Sequence, residues 1–182
     1  PVQDLRGQER SAAVQDVFQR IAPRYDLMNK LMTAGQDRTW RRFVVEKAAV
    51  PRGGSALDIA TGTGDIAFEL LTQGDTKLAV GADFAPAMMH VGQKRPQGNR
   101  VRWTTADALA LPFPSASFDA ITHGFLLRNV IDIPRALREQ WRVLKPGGHA
   151  CIQSIVIDDE LWDRYIHSTD FIQQYIFPGG CL

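Results

Sequence analysis

At 182 residues, 45% of them hydrophobic, the chain has the size of one globular domain with a substantial core; its net charge of +1, from 21 basic and 20 acidic side chains, supplies no field that selects nucleic acid, and none is expected as a partner. No apolar run reaches membrane-spanning length and the polar first residues lack a signal-peptide core, the chain opening on Pro1 as removal of an initiator methionine would leave it. Cys151 and Cys181 are the only cysteines and have no metal-ligand spacing, so a reduced, cytoplasmic setting without a bound metal is expected.

Residues 8–49 read as helical, charged and free of strands, a stretch able to close over a site. Within it Arg38, Trp40, Arg41, Arg42 and Phe43 form either an amphipathic contact with an anionic membrane or an ordinary helix with a solvated basic face. Met28, Leu31 and Met32 either line a substrate mouth or are plain core. From residue 53 short apolar runs alternate with helical patterns. Strands are expected at 55–60, 77–83, 101–105, 118–123 and 149–157, with helices near 64–73, 85–95 and 133–144. In the last helix Ile133, Ala136, Leu137, Gln140, Trp141 and Leu144 make a mainly apolar stripe, Asp132 is placed to cap its start, Pro134 suits its first turn and "KPGG" stops it. Such alternation implies an open, mostly parallel sheet with its ligand at the carboxyl ends of the strands.

The turn Gly62-Thr63-Gly64-Asp65-Ile66-Ala67 fits the dinucleotide pattern G-x-G-x-x-G/A, a weak signal alone. Asp65 falls in the first turn of the next helix, where it would repel a pyrophosphate. Asp58, just before the glycines, suits a cationic amino group. "GADFAP" ends the second strand with Asp83 and Phe84, and Asp83 could take both hydroxyls of a ribose. Asp107 could accept from an adenine amino group while the Ala108 N–H donates to the neighbouring ring nitrogen. Each acid alone is more simply a helix cap or a loop charge. Together, at successive strand ends, they describe a pocket for an adenosine with a zwitterionic, cationic amino-acid tail: S-adenosyl-L-methionine.

"VFQRIAPRYDLMNKLMTAGQDRTWRR", "LDIATGTGD", "DALALPFPSASFDAIT" and "LRNVIDIPRALREQWRVLKPGG" resemble the ubiquinone/menaquinone biosynthesis C-methyltransferases, a class I S-adenosylmethionine-dependent family, over about residues 8–148. The resemblance implies an α/β Rossmann-like fold, strand order 3-2-1-4-5, with an N-terminal helical cap (1–50) on a cofactor-binding domain (51–182) that lacks the two strands class I enzymes normally add. It implies cofactor contacts at Thr63, Asp83, Asp107 and Ala108, with Gly124 standing where the family commonly has serine; Gly62 and Gly64 of the glycine turn join the expected cofactor site. The tail 151–182, with "DFIQQYIFPGG", instead resembles the cyclopropane-fatty-acid synthases, which act on unsaturated acyl lipid. Helices in 158–177, or a second copy in a homodimer, would cover the edge left by the fifth strand.

For a quinol ring, carbon becomes nucleophilic when a neighbouring hydroxyl loses its proton. "LLRN" puts Arg128 and Asn129 after the fourth strand. Arginine stays protonated, so Arg128 is expected to stabilise a developing phenolate and Asn129 to orient a water or the hydroxyl, or else Arg128 merely pairs with Asp132. The resemblance implies the same pair, with Tyr25. His123 at the strand end either accepts the proton or is satisfied in place. The expected function is methylation of a demethylmenaquinol-type ring. The substrate is then a prenylated quinol or another lipid-like molecule, met in the cytoplasm or at the membrane face. The runner-up within the fold is methylation of an unsaturated acyl lipid, suggested by the tail; a cofactor-holding module without turnover and an NAD oxidoreductase are the other competing readings.

Overall fold

The computed structural model describes residues 7–27, 37–73 and 76–153. Among the described residues, α1 (Gly7–Ile21) and α2 (Asp37–Ala48) precede the first strand, with a 3-10 turn at Ala22–Arg24 and helical residues 25–27 between them. There follow β1 (Ser55–Ile59), α3 (Asp65–Gln73), β2 (Leu78–Asp83), α4 (Pro86–Gln93), β3 (Arg102–Thr105), β4 (Phe118–Gly124), α5 (Ile133–Val143) and β5 (Leu144–Gln153). The strands form one sheet in the order β3-β2-β1-β4-β5, and every pairing is parallel. Period-two alternation sends successive side chains to opposite faces, so both faces are buried, as short all-apolar strands demand. Leu57, Ile59, Val80, Ala82 and Ile121 meet Val143 of α5 on one face. On the other, Ala56, Ala79 and Ala120 lie under Val44, Val45 and Ala48 of α2 and Ile66 and Leu70 of α3. The small residues there let the helices approach closely.

The N-terminal stretch therefore divides. α2 is a layer of the sheet sandwich, whereas α1 and Tyr25 lie toward the strand tips, where Phe18, Ala22 and Tyr25 pack with Ala85 and Met88. Met28, Leu31 and Met32, the strand end at 154–157 and the segment 158–182 lie outside the described residues.

Two sequence expectations change in detail. β5 begins at Leu144, five residues early, because Leu144 pairs with Phe118 and His149 with Ala120, and "KPGG" bulges out between those pairings with Gly147 at φ +79°. Asp132 does cap α5, accepting from the Arg135 N–H at 2.9 Å. The stripe behind that cap is only partly buried: Ala136 and Gln140 go in, joined by Val143, while Ile133, Leu137 and Trp141 remain 42%, 39% and 81% exposed. The apolar arc is wider than the strip of sheet the helix covers.

Candidate active site

Chain reversals at the carboxyl ends of the strands open a crevice. Ile59, Ala60 and Gly62 line it after β1, Asp83 and Phe84 after β2, Asp107 and Ala108 after β3, and Gly124, Phe125, Arg128 and Asn129 after β4. An adjoining recess shares Tyr25, Ala60, Gly62, Gly124 and Phe125 with it and adds Arg41, Asp58, Thr63 and Asp65. Ala60 (φ +54°) and Phe125 (φ +60°) both hold left-handed backbone and both line crevice and recess. That conformation costs a side-chain-bearing residue roughly 1–2 kcal/mol, and such strain concentrates at functional sites.

Asp83 is buried. Its Oδ2 accepts from the Gly62 N–H and its Oδ1 from the Ala85 N–H, each at 2.8 Å. Burial pushes its carboxyl above the usual range, against the lowering effect of those backbone donors. A carboxylate offers about four lone-pair sites, so two backbone bonds fix its orientation without exhausting it. Asp58 is buried at the floor of the recess. Its oxygens accept from Thr61 Oγ1 (2.7 Å) and Thr122 Oγ1 (2.8 Å), and burial raises its pKa to about 7. Asp107 accepts from the Leu109 N–H through Oδ1 (2.8 Å), which closes the turn that brings Ala108 into the crevice wall.

Asp65 lies where its position in the sequence implies, at the start of α3, yet it is no uncompensated charge. Arg41 holds its Oδ2 at 2.8 Å and Arg95 its Oδ1 at 2.6 Å. The argument that Asp65 repels a pyrophosphate therefore fails, because two guanidiniums offset it. Arg95 also donates to the Thr63 carbonyl at 3.3 Å, and Thr63 Oγ1 donates to Asp26 Oδ1 at 2.5 Å. Thr63 thus lines the recess with its hydroxyl already committed to the N-terminal segment.

Two expected site residues stand elsewhere. Gly64 lines neither space: with φ +90°, a Cβ there would fall 2.4 Å from Trp103 Cη2, so glycine is required for packing against that indole. His123 points into the core rather than toward the rim. It is fully buried, both ring nitrogens lack a hydrogen-bond partner among the described residues, and burial lowers its pKa to about 4. A group so hard to protonate, and away from the crevice, is poorly placed to serve as the base there. Gly124 does line the crevice, and a Cβ there would meet Ile66 Cδ1 at 3.3 Å.

Arg128 lies at the mouth with its guanidinium 5.4 Å from the centre of the Phe125 ring. It makes no ion pair with Asp132, whose carboxylate caps α5 instead. The Asn129 backbone N–H is bound to the Leu126 carbonyl at 2.9 Å, its side-chain amide donates to the Phe125 carbonyl at 3.4 Å, and the residue lines the same mouth. α1 crosses this opening. Arg10 donates to the Arg128 carbonyl at 3.0 Å, Gln15 donates to the Phe84 carbonyl, and the Phe18 ring meets the edges of Tyr25 and Phe84 at 6.1 and 6.4 Å.

Sequence reasoning missed Ala60 and Phe125, for which no glycine or other signal marks the left-handed backbone. It also missed Arg95 and Asp26, which converge on the glycine turn from distant segments.

The sequence model of the ubiE/COQ5 methyltransferase family matches residues 5–165. The chain belongs to that family. It is 51% identical over 146 residues to a demethylmenaquinone methyltransferase of Roseiflexus castenholzii, covering 80% of this chain and 61% of that one. With a ubiquinone/menaquinone biosynthesis C-methyltransferase UbiE of Geotalea daltonii it shares 40% identity over 177 residues, covering 94% of this chain and 75% of that one. It spans 59–63% of the length of the demethylmenaquinone methyltransferases it matches. The fold is shared with an S-adenosylmethionine-dependent methyltransferase of Thermotoga maritima, at 23% identity and TM-score 0.66 over 90% of this chain and 70% of that one. The family match passes residue 148 and the Geotalea daltonii relative takes in most of the tail, so the quinone-type likeness extends into the stretch that resembles the lipid-type enzymes. Among the described residues no helix is long and apolar enough to cross a membrane.

Proposed function

We propose that the chain is an S-adenosylmethionine-dependent C-methyltransferase acting on a demethylmenaquinol-type ring. The carrying observation is that Asp83 and Asp107, at the tips of adjacent strands, line one crevice together with Ala108 and the bare backbone of Gly62. The residues present fit the cofactor. Asp83 would take the ribose hydroxyls through lone pairs that its two backbone donors leave over, with Phe84 beside it. Asp107 and Ala108 would read the amino edge of adenine. Gly62, at φ +56° with Met88 3.4 Å from an added Cβ, keeps that wall low enough for a nucleoside to lie on it. Asp58, Thr63 and Gly124 face the recess that would receive the amino-acid end.

When bound, S-adenosylmethionine supplies an electrophilic methyl group on a sulfonium. The chain's own residues then have three tasks. Ser11 and Phe18 of α1 and the Tyr25 ring line the crevice and exclude water from it. Orientation at the mouth falls to Asn129 and Tyr25, which hold the ring hydroxyl so that the adjacent carbon is in line with the methyl group. Electrostatic stabilisation comes from Arg128, whose fixed charge faces the oxygen that becomes a phenolate as its proton leaves to a held water; once the methyl is bonded, the hydrogen on the same ring carbon leaves as a proton and the ring regains its aromatic form. With His123 sealed in the core, no imidazole takes that proton.

The N-terminal segment 1–50 and the cofactor-binding part 51–182 act as one domain, α2 forming part of its sandwich. Trp40 and Phe43, 42% and 57% exposed on α2, give a peripheral cytoplasmic protein a foothold on the membrane that holds a prenylated substrate. β5 has no partner on its outer side among the described residues, where a second copy would add in a homodimer.

Incubation with cofactor and a reduced demethylmenaquinone analogue tests the reading. A ring-methylated product with S-adenosylhomocysteine is expected. Binding of S-adenosylhomocysteine without any product would make the chain a silent module, and stabilisation by NAD alone would sink the cofactor assignment.

A further inference from the structure

We infer that Ser11 holds the second oxygen of the substrate ring, the one beside the prenyl-bearing carbon; this rests on the proposed methylation of a demethylmenaquinol-type ring. Such a ring carries two oxygens on opposite carbons, and the carbon to be methylated lies ortho to one and meta to the other. Only the ortho oxygen feeds charge to that carbon, and it is the one that faces Arg128. The meta oxygen keeps its proton and enters the crevice as a neutral hydroxyl, which costs free energy unless a polar group meets it. Among the described residues six polar side chains line the crevice: Ser11, Tyr25, Asp83, Asp107, Arg128 and Asn129. The nucleoside takes the two acids. Arg128, Asn129 and Tyr25 serve the reacting oxygen, and the Asn129 amide also donates to the Phe125 carbonyl at 3.4 Å. Ser11 is left for the second oxygen.

The course of α1 puts that hydroxyl on the substrate side of the crevice. Ser11, Val14, Gln15 and Phe18 follow i, i+3, i+4, i+7 spacing, and Val14 is buried, so Ser11 belongs to the inward face of the helix. That face is pinned at two places. Arg10 donates to the Arg128 carbonyl at 3.0 Å, which sets Ser11, its neighbour in the chain, at the β4 rim. Gln15 donates to the Phe84 carbonyl and the Phe18 ring meets Phe84 at 6.4 Å, which sets the later turns at the β2 tip beside Asp83. The helical rise from Ser11 to Phe18 is about 10 Å. Ser11 therefore stands away from the ribose subsite and beside the ring. A serine hydroxyl has one donor and two acceptor pairs and turns freely, so it can meet a neutral hydroxyl in either sense.

The test compares a short-chain reduced demethylmenaquinone analogue with the matching naphthol, which keeps the hydroxyl beside the methylated carbon and has hydrogen in place of the second. The two rings differ in intrinsic reactivity, and that difference cancels when the kcat/KM ratio of one protein is divided by that of another. Ser11→Ala should lower the preference for the quinol about two- to tenfold, the worth of one neutral hydrogen bond, with kcat/KM for the naphthol unchanged. S-adenosylhomocysteine affinity, read by calorimetry, should stay as in wild type. Ser11→Thr, which keeps the hydroxyl, should keep the wild-type ratio. Alanine is the best helix former, so the first variant retains α1. A ratio untouched by Ser11→Ala, or lost as fully in Ser11→Thr, would reduce Ser11 to packing and overturn the inference. Weakened S-adenosylhomocysteine binding in Ser11→Ala would assign the hydroxyl to the cofactor and overturn it as well. A wild-type protein that methylates neither ring refutes the reaction reading itself, an outcome distinct from turnover that ignores the second oxygen.

Discussion

Replacing His123 with leucine should stabilise the protein most at acid pH. In the fold the imidazole is fully buried with both nitrogens unpartnered among the described residues, and its pKa falls from 6.5 to about 4. Between those values the unfolded chain binds a proton that the folded chain refuses, so wild-type stability drops as pH falls through 6.5, and the loss is complete near pH 4. Each pH unit between the two values is worth about 1.4 kcal/mol, which makes the loss about 3 kcal/mol. Asp58 acts with the opposite sign. Its pKa is raised from 3.8 to about 7, so over nearly the same window the folded chain keeps a proton that the unfolded one releases, and stability rises as pH falls. The two partly cancel in the wild type, and the variants separate them. Urea titrations between pH 7 and pH 4 should show the stability of His123→Leu, minus that of wild type, growing by about 3 kcal/mol as pH falls. For Asp58→Asn the corresponding difference should move the other way. A difference for His123→Leu that stays flat across the range would refute the buried, neutral imidazole. Turnover at pH 7 should survive the leucine, and its collapse would restore His123 as a candidate base.

Arg128→Ala should cut turnover by about 10²–10³ while S-adenosylhomocysteine affinity, read by calorimetry, stays the same; lost affinity would move Arg128 to the nucleotide site. Gly64→Ala places a methyl 2.4 Å from Trp103 Cη2 on backbone at φ +90°, and overpacking with left-handed strain should cost about 3 kcal/mol. An unchanged melting temperature would contradict that packing. Asp83→Ala removes the acceptor for both the Gly62 and Ala85 N–H groups, so S-adenosylhomocysteine affinity should fall by more than tenfold, with thermal stability measured alongside. Affinity unchanged in that variant would take Asp83 out of the ribose subsite.

The parallel sheet was readable because each strand is a short apolar run bounded by turn residues, as in "SALDIA" and "FDAITH", and strand–helix alternation permits few topologies. The turn at Gly62 and the acids at Asp83 and Asp107 were readable for the same reason: strand ends are fixed points in such a fold, and a polar residue there faces the crevice. What escaped was whatever depends on the partner rather than the position. Asp65 has the placement of a free helix-terminal acid, yet its charge is settled by Arg41 and Arg95, respectively 24 residues before and 30 after it. His123 shares a strand end with catalytic candidates, but strand alternation turns its ring to the apolar face of Ile121. The α5 stripe gave the right helix and overstated its burial, since amphipathicity reports a helix's apolar arc and not the width of surface available to cover it.

The most direct test is a crystal structure with S-adenosylhomocysteine. Density for its ribose should lie against Asp83, its adenine beside Asp107 and Ala108, and its amino-acid end in the recess of Asp58 and Arg41. Ligand found outside that crevice, or no ligand at saturating concentration, would contradict the assignment of these strand tips to a methionine-linked nucleoside.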